Sequence, residues 1–539
     1  MSMIDSSVLN PDIIGHLLEL KAKEVPEQEV LIFERGERSE IRLTYRDIYE
    51  NSNKIARLLL DNGVGSGDTF AVFMKNHPEF VYSLVAASTI GATLVPVDPR
   101  TIGERLEYLI NDSKAKAIIA VDECAVQLSE VIDRLSGVKF TAIAYLVDSV
   151  VPVDSRFHNL NQTLRQGSWR KVEQHCFDLK QPLEIIYTSG TTGDPKGVVI
   201  SGARVVGFKQ LALAVMKYEA EDILYSGLSL THGNAQAVTL FPALMLGFKA
   251  VFSTSFTRSR IWDICRKYGC TTFSLLGGMM SGIANLTEKD DDADNPVRMV
   301  VNAGTPASLW EDFENRFGIK ILEWYGAVEG GLAFKPIGEG PVGSFGKPIS
   351  GVMEFKVVDE DDNEVAAGVV GELISRMLKG ETKVDYHGKP GASDDKTRGG
   401  WLRSGDMVHV NEEGWFFFDY RKGGGLRQAG DFIQPEFVET VIGRHPEVSE
   451  VCVYGVPAVS GSPGESDIVA AVVPFPGKEI DPAVIYAYCQ KSLEKSNIPS
   501  FLQAVAVIPK TVSEKHQPRL LKEQFEKGEG DIFKYENYK

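Results

Sequence analysis

Along the first quarter of the chain, apolar side chains recur first at helical and then at strand-like spacing. Ile13, Ile14, Leu17, Leu18 and Leu20 share one helical face, a short strand pattern covers Ile41–Tyr45, and Asp47 stands where a second helix starts. Beyond it the spacing predicts strands over Asp68–Met74, Thr93–Pro96 and Ala117–Ala120, separated by helices over Glu79–Ile90 and Thr101–Asn111. The alternation resumes with strands at Leu183–Tyr187, Ile223–Ser226, Ala250–Phe252, Thr272–Leu276, Arg298–Asn302 and Ile319–Trp324, and helices at Ala203–Met216 and Ser259–Tyr268. Short apolar strands separated by helices imply a layered α/β architecture with largely parallel pairing.

Near residue 340 the texture changes. Gly-punctuated strands at Phe355–Val358, Gly371–Ser375 and Trp415–Phe418 predict a β-rich subdomain closing the large domain, and Leu378–Gly400, poor in apolar residues, has the composition of a long surface loop. The remainder predicts a small α+β unit of its own: helix Pro435–Gly443, strands Val448–Val456 and Asp467–Pro474, helix Pro482–Leu493 and strand Ala504–Ile508. Gly423–Gly425 in front of it is a natural pivot. The expected division is a domain over 1–420, a hinge at 421–425 and a second domain over 426–539.

Composition narrows the class. The 539 residues carry 57 Lys and Arg against 74 Asp and Glu, a net charge of −17, which removes the basic footprint of a nucleic-acid-binding protein. Six cysteines without a CxxC pair argue against a disulfide framework or a thiolate zinc site and fit a reducing compartment, each as buried apolar filler. With no basic-then-apolar leader and no spanning run, the expected location is the cytoplasm. Asp290, Asp291, Asp292 and Asp294 are expected to form a solvated turn, since closely spaced carboxylates alone do not set a coordination shell.

The strongest local signal is Tyr187-Thr188-Ser189-Gly190-Thr191-Thr192-Gly193-Asp194-Pro195-Lys196-Gly197, between the apolar strands Leu183–Ile186 and Val198–Ile200. Hydroxyls, glycines and one lysine can surround an anion with side-chain and backbone donors, although a solvated Gly/Ser/Thr loop has the same composition. It is not the GxxxxGK[ST] loop: Gly197 follows Lys196, and a strand rather than a helix comes next.

This segment resembles the signature of the adenylate-forming superfamily, which includes acyl-CoA synthetases, firefly luciferase and the adenylation domains of nonribosomal peptide synthesis. Further motifs recur in the family's order over essentially the whole chain. The resemblance implies a large N-terminal α/β domain with a β-rich subdomain, and a small mobile α+β lid. ATP, Mg²⁺ and a carboxylate bind between them; acyl-AMP and pyrophosphate form first, and the coenzyme A ligases then make the thioester and release AMP. Carried over by motif, Thr188, Ser189, Gly190, Thr191, Thr192, Gly193 and Lys196 enfold the β- and γ-phosphates. Glu329, in Glu323-Trp324-Tyr325-Gly326-Ala327-Val328-Glu329, takes the place of the metal-binding glutamate of YGxTE, with Thr188 as its companion. Tyr325 and Gly326 fall against adenine, and Ala303-Gly304-Thr305-Pro306 borders the purine and the acyl group. Asp406 matches the acceptor of both ribose hydroxyls, and Arg421 the near-hinge arginine that approaches ribose or phosphate.

Lys515 matches the C-terminal lysine that reaches the carboxylate and α-phosphate during adenylation, and His232 a gate between the acyl site and the thiol tunnel. Arg427 and Gly430 fall near the coenzyme A channel, while Gly277, Gly278, Met279 and Met280 are expected as pocket walls, the glycines leaving volume for substrate. The sequence departs from the family at Val328, where threonine is usual, at Gly423, where lysine or aspartate is usual, and at Glu514, where glycine is usual.

The expectation is thus an ATP-dependent carboxylate–coenzyme A ligase. Its texture through His232-Gly233-Asn234-Ala235-Gln236 and Asn295-Pro296-Val297-Arg298 is similar to crotonobetaine/carnitine- and medium-chain-acid-CoA ligases. Delivery to a separate carrier protein, a luciferase-like oxygenase and an acyl- or nucleotide-binding regulator that has lost turnover are the alternatives. A homodimer is allowed.

Overall fold

The computed structural model describes residues 9–36, 39–146, 154–165, 169–188, 194–422, 426–475, 477–509 and 516–539. Strands Thr69–Phe73, Thr93–Val97, Ala117–Val121 and Phe140–Ala144 pair in parallel in a 7-stranded sheet that ends at the antiparallel pair Pro182–Thr188 and Lys196–Ser201. Every residue of Thr69–Phe73 and Ala117–Val121 is buried, because helices cover both faces of such a sheet.

A 13-stranded sheet completes the large N-terminal α/β domain. Its parallel part contains Glu29–Glu34, Lys249–Ser253, Ile223–Ser226, Thr272–Leu276, Met299–Ala303 and Lys320–Ala327. Pairing then turns antiparallel through Gly330–Lys335, Ser344–Pro348, Phe416–Arg421, Leu402–Val410, Gly371–Met377 and Met353–Val358, which form the β-rich subdomain. Met353–Val358 alternates between buried and half-buried positions over a small core with Phe345, Phe355 and Phe416.

The hairpin Leu426–Gln428/Asp431–Ile433 and a 4-stranded sheet make up the smaller C-terminal α+β domain. Helices Pro435–Gly443 and Pro482–Ser492 pack on that sheet around Ile442, Ile485 and Tyr486. Gly423–Gly425, expected as the pivot, lies outside the described residues.

Several elements differ from their expected form for local reasons. The second helix runs Tyr45–Asp61, since Thr44 is its cap and Asp47 the third helical residue, the two closing a capping box. The expected surface loop Leu378–Gly400 instead folds inward: Val384 and Tyr386 are buried, and Val199 N–H donates to Asp385 O at 2.8 Å. It also carries a short helix, Pro390–Lys396. The last predicted strand lies at Phe501–Ala504, where it gains a partner the spacing did not show, Asp531–Lys534. Within the acidic cluster Asp292 is buried, accepting from Arg316 Nε at 2.7 Å and from Lys289 N at 3.1 Å. All six cysteines are free, and among the described residues no helix is long and apolar enough to cross a membrane.

The carboxyl ends of Thr272–Leu276 and Met299–Ala303 meet at two glycines. A Cβ on Gly277 would stand 2.0 Å from Gly304 O, so the two turns approach closer than any side chain permits. Gly277→Ala is expected to destabilise the large domain by about 1–3 kcal/mol through this overlap. Gly207→Ala, in open space on helix Gly202–Ala214, is expected to stabilise by up to about 1 kcal/mol. Denaturant midpoints of the two variants should therefore move in opposite directions.

Candidate active site

The carboxyl ends of the strands from both sheets face one another, the usual place for a ligand in an open α/β architecture. Thr188 ends its strand, Lys196 begins the next, and Tyr325, Gly326 and Ala327 close Lys320–Ala327. Together with Gly304, Thr305, Glu329, His232, Asp406, Arg421, Arg427 and Gly430 they line a cavity of about 820 Å³. Ser189, Gly190, Thr191, Thr192, Gly193 and Lys515 lie outside the described residues. Pro306 is not on the wall; it is buried at the start of the turn Ala307–Leu309.

Asp406 stands opposite Arg421 in the antiparallel register. Its carboxylate accepts from Tyr325 Oη at 2.5 Å and is paired with the Arg421 guanidinium. Burial pushes the Tyr325 phenol well up, with the neighbouring Asp406 charge adding to it. The Tyr325 ring stacks on Phe345 with centroids 4.6 Å apart and meets Phe355 edge-on, which fixes its orientation at the cavity wall.

Glu329 Oε1 accepts from Thr188 Oγ1 at 3.0 Å and from Tyr386 Oη at 3.1 Å. Tyr386 comes from the infolded 378–400 segment, as does Lys396, whose Nζ lies 3.4 Å from Ser404 O beside the same cavity. Burial lowers the Lys396 pKa despite the nearby Glu329 and Asp406. Neither residue is marked by a motif. Glu323 holds the opposite wall: its carboxylate takes Gly304 N–H at 2.6 Å and Thr305 Oγ1 at 2.5 Å, and burial raises its pKa to about 7 against those hydrogen bonds.

A second cavity of about 900 Å³ adjoins the first and is walled mainly by apolar side chains, among them Phe208, Leu211, Val215, Met279 and Met353. His232, Gly233, Gly326, Val328 and Glu329 line both cavities. His232 Nε2 lies 3.1 Å from Asp98 Oδ2. Asp98 also accepts from Arg100, and Arg100 bridges to Asp431 of the C-terminal domain at 2.5 Å. Asp98 and Arg100 sit in Asp98-Pro99-Arg100 at the end of strand Thr93–Val97, a strand-end position that could have flagged them.

The pocket-wall expectations divide. Met279 faces the apolar cavity, whereas Met280 is fully buried in the core. Gly277 serves backbone approach rather than substrate volume, and a Cβ on Gly278 would meet Ala429 Cα at 3.4 Å, so this glycine accommodates the C-terminal hairpin. Gly430 likewise has φ of +88° and abuts Leu276. Arg427 lies 4.0 Å from Glu465. The Asn295–Arg298 segment is structural, with Arg298 paired to Asp222.

Comparison with known proteins agrees with this geometry. The AMP-binding enzyme family matches residues 18–378, and the AMP-binding enzyme C-terminal domain matches 437–515. The chain belongs to this adenylate-forming family, whose ATP-dependent ligase chemistry passes through an acyl-adenylate. It is 25% identical to a crotonobetaine/carnitine–CoA ligase of Salmonella enteritidis PT4 over 91% of this chain and 95% of that one. It is 28% identical to a long-chain fatty acid transport protein 1 of Rattus norvegicus over 96% and 83%. Among solved structures, a double mutant of o-succinylbenzoate CoA synthetase from Bacillus subtilis superposes with a TM-score of 0.78 at 20% identity, covering 96% of this chain and 98% of that one.

Asp98 raises the His232 pKa against the lowering by burial, while Arg100 and His232 hold Asp98 well below the usual carboxylate range although burial opposes them. In Asp98→Asn the largest raising influence on the imidazole is removed, while burial and Arg100 still lower its pKa and Asp431 still raises it, so the His232 pKa is expected to fall from its wild-type value, measured by NMR of histidine-labelled protein. The wild-type stabilisation from the protonated imidazole is full below the unfolded pKa and is lost as pH rises through the higher folded one. In the variant that stabilisation should shrink, and where the folded pKa falls below the unfolded one its sign should reverse, with stability falling as the pH is lowered.

Proposed function

We propose that the protein is a carboxylate–coenzyme A ligase. The observation that carries this is the junction of two cavities, one polar and bordered by Asp406, Lys196 and Glu329, the other apolar, sharing the strip Gly326–Glu329 and His232. An acid whose body occupies the apolar cavity would present its carboxylate at that strip, where a nucleotide's α-phosphate would lie. Two anions must approach there, so cationic groups and hydrogen-bond donors dominate the chemistry.

Lys196 and the preceding hydroxyl-rich segment would hold the β- and γ-phosphates, and Asp406 the ribose diol. Glu329 and Thr188 offer hard oxygen donors, which suit Mg²⁺; bound there it would supply charge neutralisation on the phosphates. A carboxylate oxygen of the acid attacks the α-phosphorus and pyrophosphate leaves; the thiol sulfur then attacks the acyl carbon and AMP leaves. Val328 withholds one hydroxyl from the first step, worth on the order of 1 kcal/mol.

The hairpin residues Arg427, Ala429 and Gly430 stand at the mouth of both cavities, where a phosphopantetheine thiol would enter. We assign residues 421–425 as a hinge, about which 426–539 rotates to exchange this hairpin for Lys515. Ion pairs such as Arg100–Asp431 and Arg444–Glu104 would then hold the hairpin-in state, since the pivot glycine Gly423 has no side chain to do so. Relatives named as CoA ligases support the acceptor, and the free thiols support a cytoplasmic setting.

A panel of carboxylic acids with ATP, Mg²⁺ and coenzyme A is expected to yield pyrophosphate, AMP and acyl-CoA together, each dependent on the acid. Pyrophosphate without thioester would reassign the acceptor to a carrier protein, and no product would favour the regulator. Lys515→Ala should slow acyl-adenylate formation at least 100-fold, the order expected for losing one electrostatic contact to the transition state. Thiolation of supplied acyl-AMP should change much less; equal losses in both steps would refute the rotation.

A further inference from the structure

The apolar cavity contains a cation that the proposed reaction does not use. Arg204 lines the acyl cavity and is absent from the wall of the nucleotide cavity. Its one hydrogen bond is from Nη2 to Ala327 O at 3.4 Å, and no carboxylate lies within ion-pair distance of it among the described residues. The other cations on that wall are accounted for. Lys75 pairs with Glu123 at 2.7 Å, Arg100 with Asp98 and Asp431, Arg427 approaches Glu465, and Lys383 is exposed to solvent.

Three costs fall on Arg204 together. It stands in the first turn of helix Gly202–Ala214, where the macrodipole disfavours a positive charge, and that turn carries no acidic residue. Burial lowers its pKa to about 10, with Glu329 opposing the shift. Its half-exposed guanidinium has one protein acceptor, and apolar residues such as Phe208, Leu211 and Val215 line the same cavity. A guanidinium kept under these conditions is explained by an anion that arrives with the ligand.

We propose that Arg204 determines acid specificity by pairing with a second anionic group, so that the preferred substrate is a dicarboxylic acid with an apolar body. This rests on the ligase reading above. Because Arg204 Nη2 lies 3.4 Å from Ala327 O, both carboxylates bind at one end of the cavity: one meets the α-phosphate at the Gly326–Glu329 strip, the other forms a forked pair with Arg204, and the apolar body extends away from both; a monocarboxylic acid leaves the guanidinium without a partner from the ligand.

The test compares alkyl-substituted malonic and succinic acids, whose two carboxyl groups lie close together, with monocarboxylic acids of the same carbon number, reading acid-dependent pyrophosphate release by wild type, Arg204→Met and Arg204→Lys. Wild type is expected to favour the diacid in kcat/KM. Arg204→Met should lose about 30-fold or more on the diacid while the monoacid changes by less than about threefold, as expected when one side of an ion pair closed over by the ligand is removed. Arg204→Lys should keep part of the diacid preference. Because the arginine is destabilising where it stands, Arg204→Met should also melt no lower than wild type. An equal loss on both acid classes would assign Arg204 to the reacting carboxylate and overturn the proposal, as would a wild type indifferent to the second carboxylate. Pyrophosphate release with no acid of either class would instead refute the ligase reading, and the inference with it.

Discussion

One carboxylate, Asp406, joins the parts of the molecule that must stay in register for a nucleotide to bind. Through Tyr325 it fixes the end of the parallel strands, and through Arg421 it fixes the last strand before the C-terminal domain. The glycine beside it, Gly405, has φ of +78°, and a Cβ there would meet the Arg421 guanidinium at 3.4 Å. Ligand contact at this carboxylate would therefore be felt by both domains, since the same two oxygens anchor the strand from which the hinge departs.

Charge is arranged differently in the two cavities. In the nucleotide cavity Asp406 is paired with Arg421, and Glu329 accepts from the hydroxyls of Thr188 and Tyr386, as suits a site that exchanges protein contacts for phosphate contacts. In the apolar cavity Arg204 has no carboxylate within ion-pair distance among the described residues, which is the place proposed for a second anion of the ligand. Between them, His232, Asp98, Arg100 and Asp431 form a continuous chain of hydrogen bonds and ion pairs from the cavity junction to the C-terminal hairpin. A change at the acyl group and a change of domain orientation would thus act on the same set of charges.

Much of this protein was determined by local sequence. The buried parallel strands announce themselves as short apolar runs because both their faces are covered, and the start of helix Tyr45–Asp61 follows from the capping box of Thr44 and Asp47. The order of motifs, from Thr188 through Glu329 to Asp406 and Arg421, likewise resides in the chain itself. The tertiary structure decided the rest. Tyr386 and Lys396 lie in a segment with few apolar residues, yet backbone hydrogen bonds to strand Lys196–Ser201 draw it into the site. Gly277 and Gly304, 27 positions apart, matter through a contact that no spacing encodes. Arg204 follows an unremarkable strand and becomes distinctive only when the folded chain places it on the wall of the apolar cavity with no carboxylate within ion-pair distance among the described residues. Periodicity reports which face of an element is dry; whether a charge on it has a partner depends on groups hundreds of residues away, and only folding brings those together.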